Sequence, residues 1–250
     1  MESLMTKKKS SAFGETVRTV LYAVAIALLI RVFAYEPFNI PSRSMEPTLL
    51  VGDYLFVSKF SYGYSRYSMP WGLPLFSGRV FADQPERGDV AVFKLPSDNK
   101  TDYIKRMIGL PGDRIQVING ILHINGAAVG REKVTDLSDP ENNGFPTDVT
   151  EYIETLPNGR THRIWERGDG NMLDNTPVFT VPAGHFFAMG DNRDNSQDSR
   201  VMSEVGFVPF ENLVGRAEFL FFSHNDSARL WEIWKWPFAI RYGRIGDGIE

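Results

Sequence analysis

The chain has 250 residues, 42% of them hydrophobic, which suits one domain or two small ones with a real apolar core. A net charge of -4 offers no overall basic field for gathering nucleic acid. Cysteine is absent, which excludes a thiolate nucleophile, Cys-ligated zinc and disulfide staples and leaves the redox compartment open.

The first element in chain order is apolar. Lys7, Lys8 and Lys9 precede Val17 to Tyr35, and Thr19 to Ile30 carries no charge. Arg18 and Arg31 stand near its ends, where long basic side chains reach lipid headgroups. About 20 helical residues cross the hydrocarbon core of a bilayer, so residues 17–35 are just long enough for a transmembrane anchor. A cleavable secretory signal also has basic residues before an apolar run, but Arg31, Phe33, Tyr35 and Pro37 do not make a small-x-small cleavage site. The sequence predicts a cytoplasmic tail over 1–16 and a single retained anchor over 17–35. Lysines ahead of the helix would hold the N-terminus inside and send the remainder across the cytoplasmic (inner) membrane.

Beyond Pro37 the pattern is strands and turns. Tyr54–Val57 follows the turn Gly52-Asp53, Val90–Phe93 follows Gly88-Asp89, and Tyr103–Ile108 ends at Leu110-Pro111-Gly112-Asp113. Asn119-Gly120 between Ile115–Ile118 and Ile121–Ile124 is a strong hairpin signal. Asn158-Gly159 repeats it between Tyr152-Ile153 and Arg163–Trp165. Further strands are predicted at Val178–Val181, His185–Met189 and Val214–Phe222, while Asp136–Asp148, with Pro140, Gly144 and Pro146, reads as a surface excursion. The fold class is mainly β: an antiparallel sheet domain over 36–250, with an inserted hairpin region at about 128–175, behind one N-terminal transmembrane helix.

Two short segments carry candidate chemistry. Pro41-Ser42-Arg43-Ser44-Met45-Glu46-Pro47-Thr48-Leu49 is a turn sequence soon after the anchor; Tyr103-Ile104-Lys105-Arg106 is a strand with one lysine among apolar residues. Strand side chains alternate between faces, so Tyr103, Lys105 and Met107 share one. On a core-facing side the lysine would be desolvated, which disfavours its ammonium. Lowering its pKa from about 10.4 to about 7 corresponds to roughly 4–5 kcal/mol, and a neutral amine could accept a serine hydroxyl proton. Equally, a strand lysine can point to solvent and a turn serine can be structural. Neither residue decides alone.

Their surroundings carry a resemblance. The run Glu36 to Leu49 is similar to the catalytic-serine segment of bacterial type I signal peptidases. Gly52-Asp53, Arg87–Phe93, Asp102–Arg106 with Gly109–Asp113, and Gly190–Arg200 match further segments of that family in the same order, from about Arg31 to Arg216. The resemblance implies a membrane-bound serine endopeptidase in which Ser44 attacks and Lys105 is the general base. It implies an oxyanion hole from the Ser42 hydroxyl and the Ser44 N–H, a Ser196 that orients the lysine, and a supporting Asp198–Arg200 salt bridge. Apolar substrate pockets would be lined by Phe38, Ile40, Met45, Leu49, Leu55, Val92, Tyr103 and Ile104, suited to small residues at the first and third positions before the cut. Implied partners are preprotein signal peptides and the lipid bilayer, with the export translocon a further candidate; no cofactor or metal is implied. Arg43 departs from the family pattern, in which glycine is frequent at that position.

Competing readings are weaker. Asp191–Arg200 is crowded with Asp and Asn, but Arg193 occupies a ligand position of a calcium loop and the closing glutamate is missing. His123, His162, His185 and His224 all fall outside the matched segments, and Arg87-Gly88-Asp89 and Arg167-Gly168-Asp169 are turns entering strands. A self-cleaving repressor would need a helix-turn-helix ahead of the serine, and a non-catalytic export module would not need serine and lysine together. Trp231, Trp234 and Trp236, and also Trp71, Leu73, Leu75 and Phe76, suit either core packing or the bilayer interface.

Overall fold

The structure, a computed structural model, describes residues 3–69, 77–139, 147–168, 170–225, 227, 231–232 and 234–250. Trp71, Leu73, Leu75, Phe76 and the centre of the excursion at 140–146 lie outside the described residues.

Helix α1 runs from Ser3 to Phe33. Its apolar part, Phe13–Phe33, has 21 residues, or about 31 Å at 1.5 Å per residue, which matches a hydrocarbon core of ~30 Å. None of its side chains is buried; Leu21, Ile26 and Leu29 each expose more than half their area. A helix apolar all round and uncovered by protein is consistent with a membrane span. The helix differs from the expected span 17–35 at both ends. It begins within the tail expected over 1–16, and Tyr35 has already left it to pair with Ser58.

Fourteen strands are found among the described residues. The first seven are β1 (Tyr35–Asn39), β2 (Asp53–Ser58), β3 (Val90–Lys94), β4 (Asp102–Gly109), β5 (Arg114–Ile118), β6 (Ile121–Ile124) and β7 (Ala127–Ala128). Then come β8 (Gly130–Asp139), β9 (Thr147–Thr155), β10 (Thr161–Glu166), β11 (Phe179–Thr180), β12 (His185–Met189), β13 (Val208–Pro209) and β14 (Leu213–Ser223). They form a seven-stranded sheet in the order β1-β2-β14-β3-β4-β12-β13, a three-stranded sheet β10-β9-β8 and a four-stranded sheet β11-β5-β6-β7. All pairings within these sheets are antiparallel. Both Asn-Gly hairpins are present, as β5–β6 and β9–β10. Four strands escape the sequence pattern, the two-residue β7 and β13 and the longer β1 and β8. β1 contains Pro37, and β8 reaches Asp139 in what reads as a polar excursion because most of its side chains face solvent.

The main sheet is covered on both faces. Val90 and Val92 of β3 pack with Ile40, Met45, Leu49 and Leu55, while Ala91 and Phe93 pack on the other side with Met107, Phe186 and Val208. Burial on both faces explains the unbroken apolar run of β3. A third cluster, around Ile108, Ile115, Leu122 and Phe187, joins the four-stranded sheet to the end of β4. After β14 the chain makes one helical turn, α2 (Trp236–Ala239), and closes against the main sheet. Core packing does not account for Trp231 and Trp234, which are 67% and 66% exposed; Trp236 is partly buried against Phe222.

Candidate active site

Ser44 lies in the loop that joins β1 to β2. The loop is closed at its base by Ile40 N–H donating to Asp53 O (2.9 Å) and Gly52 N–H donating to Ile40 O (3.1 Å). Gly52 sits at a φ of 87°, and a Cβ there would stand 2.1 Å from the His224 carbonyl oxygen, so only glycine suits this corner. Lys105 comes from the middle of β4, opposite Ala91 of β3. Its amine lies 5.3 Å from the centre of the Tyr103 ring, as the alternation of the strand requires.

Loop and strand meet at the two candidate side chains. Lys105 Nζ is 2.6 Å from Ser44 Oγ and 3.0 Å from the Ile104 carbonyl oxygen, and only 4% of the lysine is exposed. Burial pulls its pKa down to about 8, opposed by the negative charges of Asp198 and Asp191. Those carboxylates favour the ammonium and limit the descent, while the nearby charge of Arg200 adds to it. Ser42 Oγ is 3.3 Å from Ser44 Oγ. The Ser44 N–H has no hydrogen-bond partner among the described residues.

The 190–200 loop backs this pair, since β12 lies beside β4 and delivers Gly190 next to it. Asn192 N–H donates to Ser44 O at 3.2 Å, and Asn192 Nδ2 donates to Arg43 O at 3.1 Å. Asp198 and Arg200 form the expected bridge: Nε to Oδ1 is 2.9 Å and Nη2 to Oδ2 is 2.8 Å. Burial raises the Asp198 pKa, but the charge and hydrogen bonds of Arg200 together with the Gly190 N–H hold the carboxyl below its usual value. Ser196 is not joined to Lys105. Its buried Oγ makes no hydrogen bond to the lysine amine, which is turned to Ser44 and the Ile104 carbonyl instead.

A cleft of about 880 Å³ opens over the pair. Phe38, Ile40, Val92, Tyr103 and Ile104 line it; Met45, Leu49 and Leu55 do not. Those three are fully buried in the core cluster beneath, Met45 and Leu49 from one turn of the loop and Leu55 from β2, so they support the walls without facing a ligand. Asp102, Asp194, Asn195, Gln197 and Val201 also line the cleft, beyond the residues the sequence singles out, although all but Val201 belong to the matched segments. Arg43 folds onto Glu46, with Nε 2.8 Å from Oε2.

Behind the site is a buried ionic network that the sequence pattern does not reveal. Arg106, on the opposite face of β4 from Lys105, grips Asp191 with two hydrogen bonds of 2.9 and 2.8 Å, and Thr48 Oγ1 donates to the same carboxylate at 2.6 Å. From the three-stranded sheet, Glu154 receives Arg193 at 2.8 and 2.6 Å, and His162 Nε2 lies 3.3 Å from Glu154. Burial, then the charge of Arg106, holds the His162 pKa below its usual value. Arginines thus take up Asp191 and Asp198, and no group of three or more His, Cys, Asp or Glu suited to a metal is found among the described residues. None of the four histidines touches Ser44 or Lys105. Ahead of the serine the described residues form helix α1 and strand β1, with no helix-turn-helix among them.

The chain is similar to known proteins. A family model described as "Signal peptidase, peptidase S26" matches residues 13–222. Signal peptidase I of Rickettsia conorii is 46% identical over 210 residues, covering 81% of this chain and 77% of the relative. The enzyme of Rickettsia canadensis is 47% identical over 210 residues with the same coverage. A solved signal peptidase I from Enterococcus faecalis V583 is 27% identical, with a TM-score of 0.31 over 54% of this chain and 97% of that one. Since the family match begins in the apolar helix and takes in Ser44, Lys105 and the loop behind them, this chain belongs to the signal peptidase family, peptidase S26.

Proposed function

We propose that this serine endopeptidase removes N-terminal signal peptides from exported preproteins by attack of Ser44, with Lys105 as general base. The observation that supports it most is the 2.6 Å contact between a buried lysine amine and a serine hydroxyl at the floor of an open cleft. The neutral amine accepts the Ser44 proton as Oγ attacks the scissile carbonyl carbon. The tetrahedral oxyanion then receives hydrogen bonds from the Ser44 N–H and the Ser42 hydroxyl, donors whose loss typically costs about 3–4 kcal/mol. The lysine ammonium returns its proton to the leaving amine of the mature chain. A water, deprotonated by the same amine, releases the signal peptide from the acyl-serine ester.

Phe38, Ile40, Val92, Tyr103 and Ile104 leave shallow apolar room beside Ser44, which favours a small residue before the cut. Leucine there would force side chains off their rotamers at about 1–3 kcal/mol, or roughly a ten- to two-hundred-fold fall in rate. In an extended substrate the residue two before the cut points away, so changes there are tolerated. The test is a cleavage series on detergent-solubilised protein with preproteins varied at both positions. A small-x-small preprotein left uncut defeats the proposal as a whole; leucine cut as fast as alanine defeats the pocket assignment.

The same reading puts the enzyme in the cytoplasmic membrane by a single pass, with the β domain on the extracytoplasmic side. The uncovered apolar helix supports this. The chain should resist extraction by salt and alkali, and protease added outside should digest the β domain in intact cells. A mature chain beginning near Tyr35 would mean that the helix is removed.

A further inference from the structure

The family match ends at residue 222, yet the chain beyond it returns to the nucleophile loop. Asp53, wholly buried at the start of β2, is the point of return. Arg244 Nε and Nη2 reach its carboxylate at 3.2 and 2.6 Å, and Ser223 Oγ donates to it at 2.6 Å. Arg244 Nη2 also donates to the Thr48 carbonyl at 2.9 Å, and Arg241 Nη1 donates to that of Val51 at 2.9 Å. Farther on, Ile249 packs against the cluster that contains Met45 and Leu49, and its N–H donates to Glu218 O of β14.

We propose that Arg244 is a positioning residue for the peptidase reaction: it clamps the Thr48–Asp53 half of the nucleophile loop and so holds Ser44 against Lys105. The inference rests on the Ser44–Lys105 reading above. Thr48 is four residues past Ser44, and its hydroxyl is tied to Asp191 while its carbonyl is tied to Arg244. Leu49 N–H donates to Met45 O within the same turn, so a pull at Thr48 is carried to the residue beside the nucleophile. One planar guanidinium serves both a carboxylate and a carbonyl, a fork that a lysine ammonium does not reproduce. The clamp matters because a shift of about 1 Å in a reacting group can cost 10²-fold in rate. The cleft walls on β1, β3 and β4 make no hydrogen bond to Arg244, so substrate binding should be spared.

The test uses the full chain in detergent, with wild type, Arg244→Ala, Arg244→Lys and Ser44→Ala compared on one preprotein. Arg244→Ala should lower kcat about 10- to 100-fold with KM changed less than about threefold. Its pH midpoint should move upward, as a loosened loop admits water to Lys105. Arg244→Lys should remain impaired, and added guanidinium should restore part of the kcat of Arg244→Ala. A kcat and pH profile like wild type in a folded variant overturns the proposal. So does a loss fully explained by the unfolded fraction, because that is a structural role alone. If Arg244→Ala does not fold, Arg244→Lys decides by the same two readouts. An active Ser44→Ala would instead remove the underlying reading, whatever the arginine variants do.

Discussion

On the proposed mechanism, Ser44→Ala and Lys105→Ala should each lower preprotein cleavage by at least about 10⁴-fold, and the double variant should be little worse, because a nucleophile and its base act as one unit. Substantial activity in either pure variant defeats the assignment. The wild-type rate should rise with pH through about 8. At pH 7 only about a tenth of such a lysine is neutral, so the rise to the alkaline plateau is roughly tenfold. A flat profile between pH 6 and 10, or a midpoint that moves on replacing a histidine, contradicts the lysine base. Stability supplies a second readout. The folded pKa of about 8 lies below the ordinary lysine value of 10.5, so the unfolded chain binds the extra proton between them. The buried ammonium therefore costs about 3 kcal/mol below pH 8, and that cost vanishes above about 10.5. Lys105→Met removes it but loses two hydrogen bonds of about 1 kcal/mol each. The inactive variant should thus be slightly more stable than wild type at pH 7, with the advantage gone by about pH 10.5.

How much of this is legible in the sequence depends on the range of each interaction. Asn119-Gly120 and Asn158-Gly159 specify hairpins locally, and both form. The alternation in β4 puts Tyr103, Lys105 and Met107 on one face because strand period is a local property. Yet the same alternation puts Arg106 on the opposite face, which in a sheet covered on both sides must also be buried. An arginine buried there demands a carboxylate, and Asp191, 85 residues on, supplies it. The adjacent Lys-Arg pair carries that signal, but it does not say which carboxylate answers. Met45, Leu49 and Leu55 are placed in the cleft by resemblance, and sequence does not distinguish an apolar wall from the core beneath it. Ser196 is placed beside Lys105 by resemblance, whereas here the lysine amine is turned toward Ser44 and the Ile104 carbonyl. The return of Arg244 to Asp53 spans 191 residues and has no local pattern at all.

Gly190→Ala should lower kcat by about 10²–10³-fold while costing only about 1–3 kcal/mol of stability. Gly190 follows β12 directly, and its N–H donates to Asp198 Oδ2 at 3.0 Å, which fixes the backbone beside Ser44 and Lys105. A Cβ at this position would stand 2.2 Å from Ser196 Oγ, 2.4 Å from Ser44 O and 2.5 Å from Ser196 Cβ. The first contact can be relieved by rotating a hydroxyl. The other two cannot, since one atom is backbone and the other is attached to it directly. Either the 190–200 loop or the Ser44 backbone must therefore move, by about 1 Å to restore ordinary contact distances. That movement strains the Asn192-to-Ser44 hydrogen bond and displaces Oγ from the lysine amine. Gly130, in β8, is the matched control: a methyl added there would meet nothing within 4 Å, and Gly130→Ala should retain wild-type activity. The measurement is kcat per folded molecule, with thermal melting to count the folded fraction. A Gly190→Ala enzyme that cleaves at a third of the wild-type rate or faster would show that the loop yields without moving Ser44, and that the close approach of these two segments is not what aligns the nucleophile.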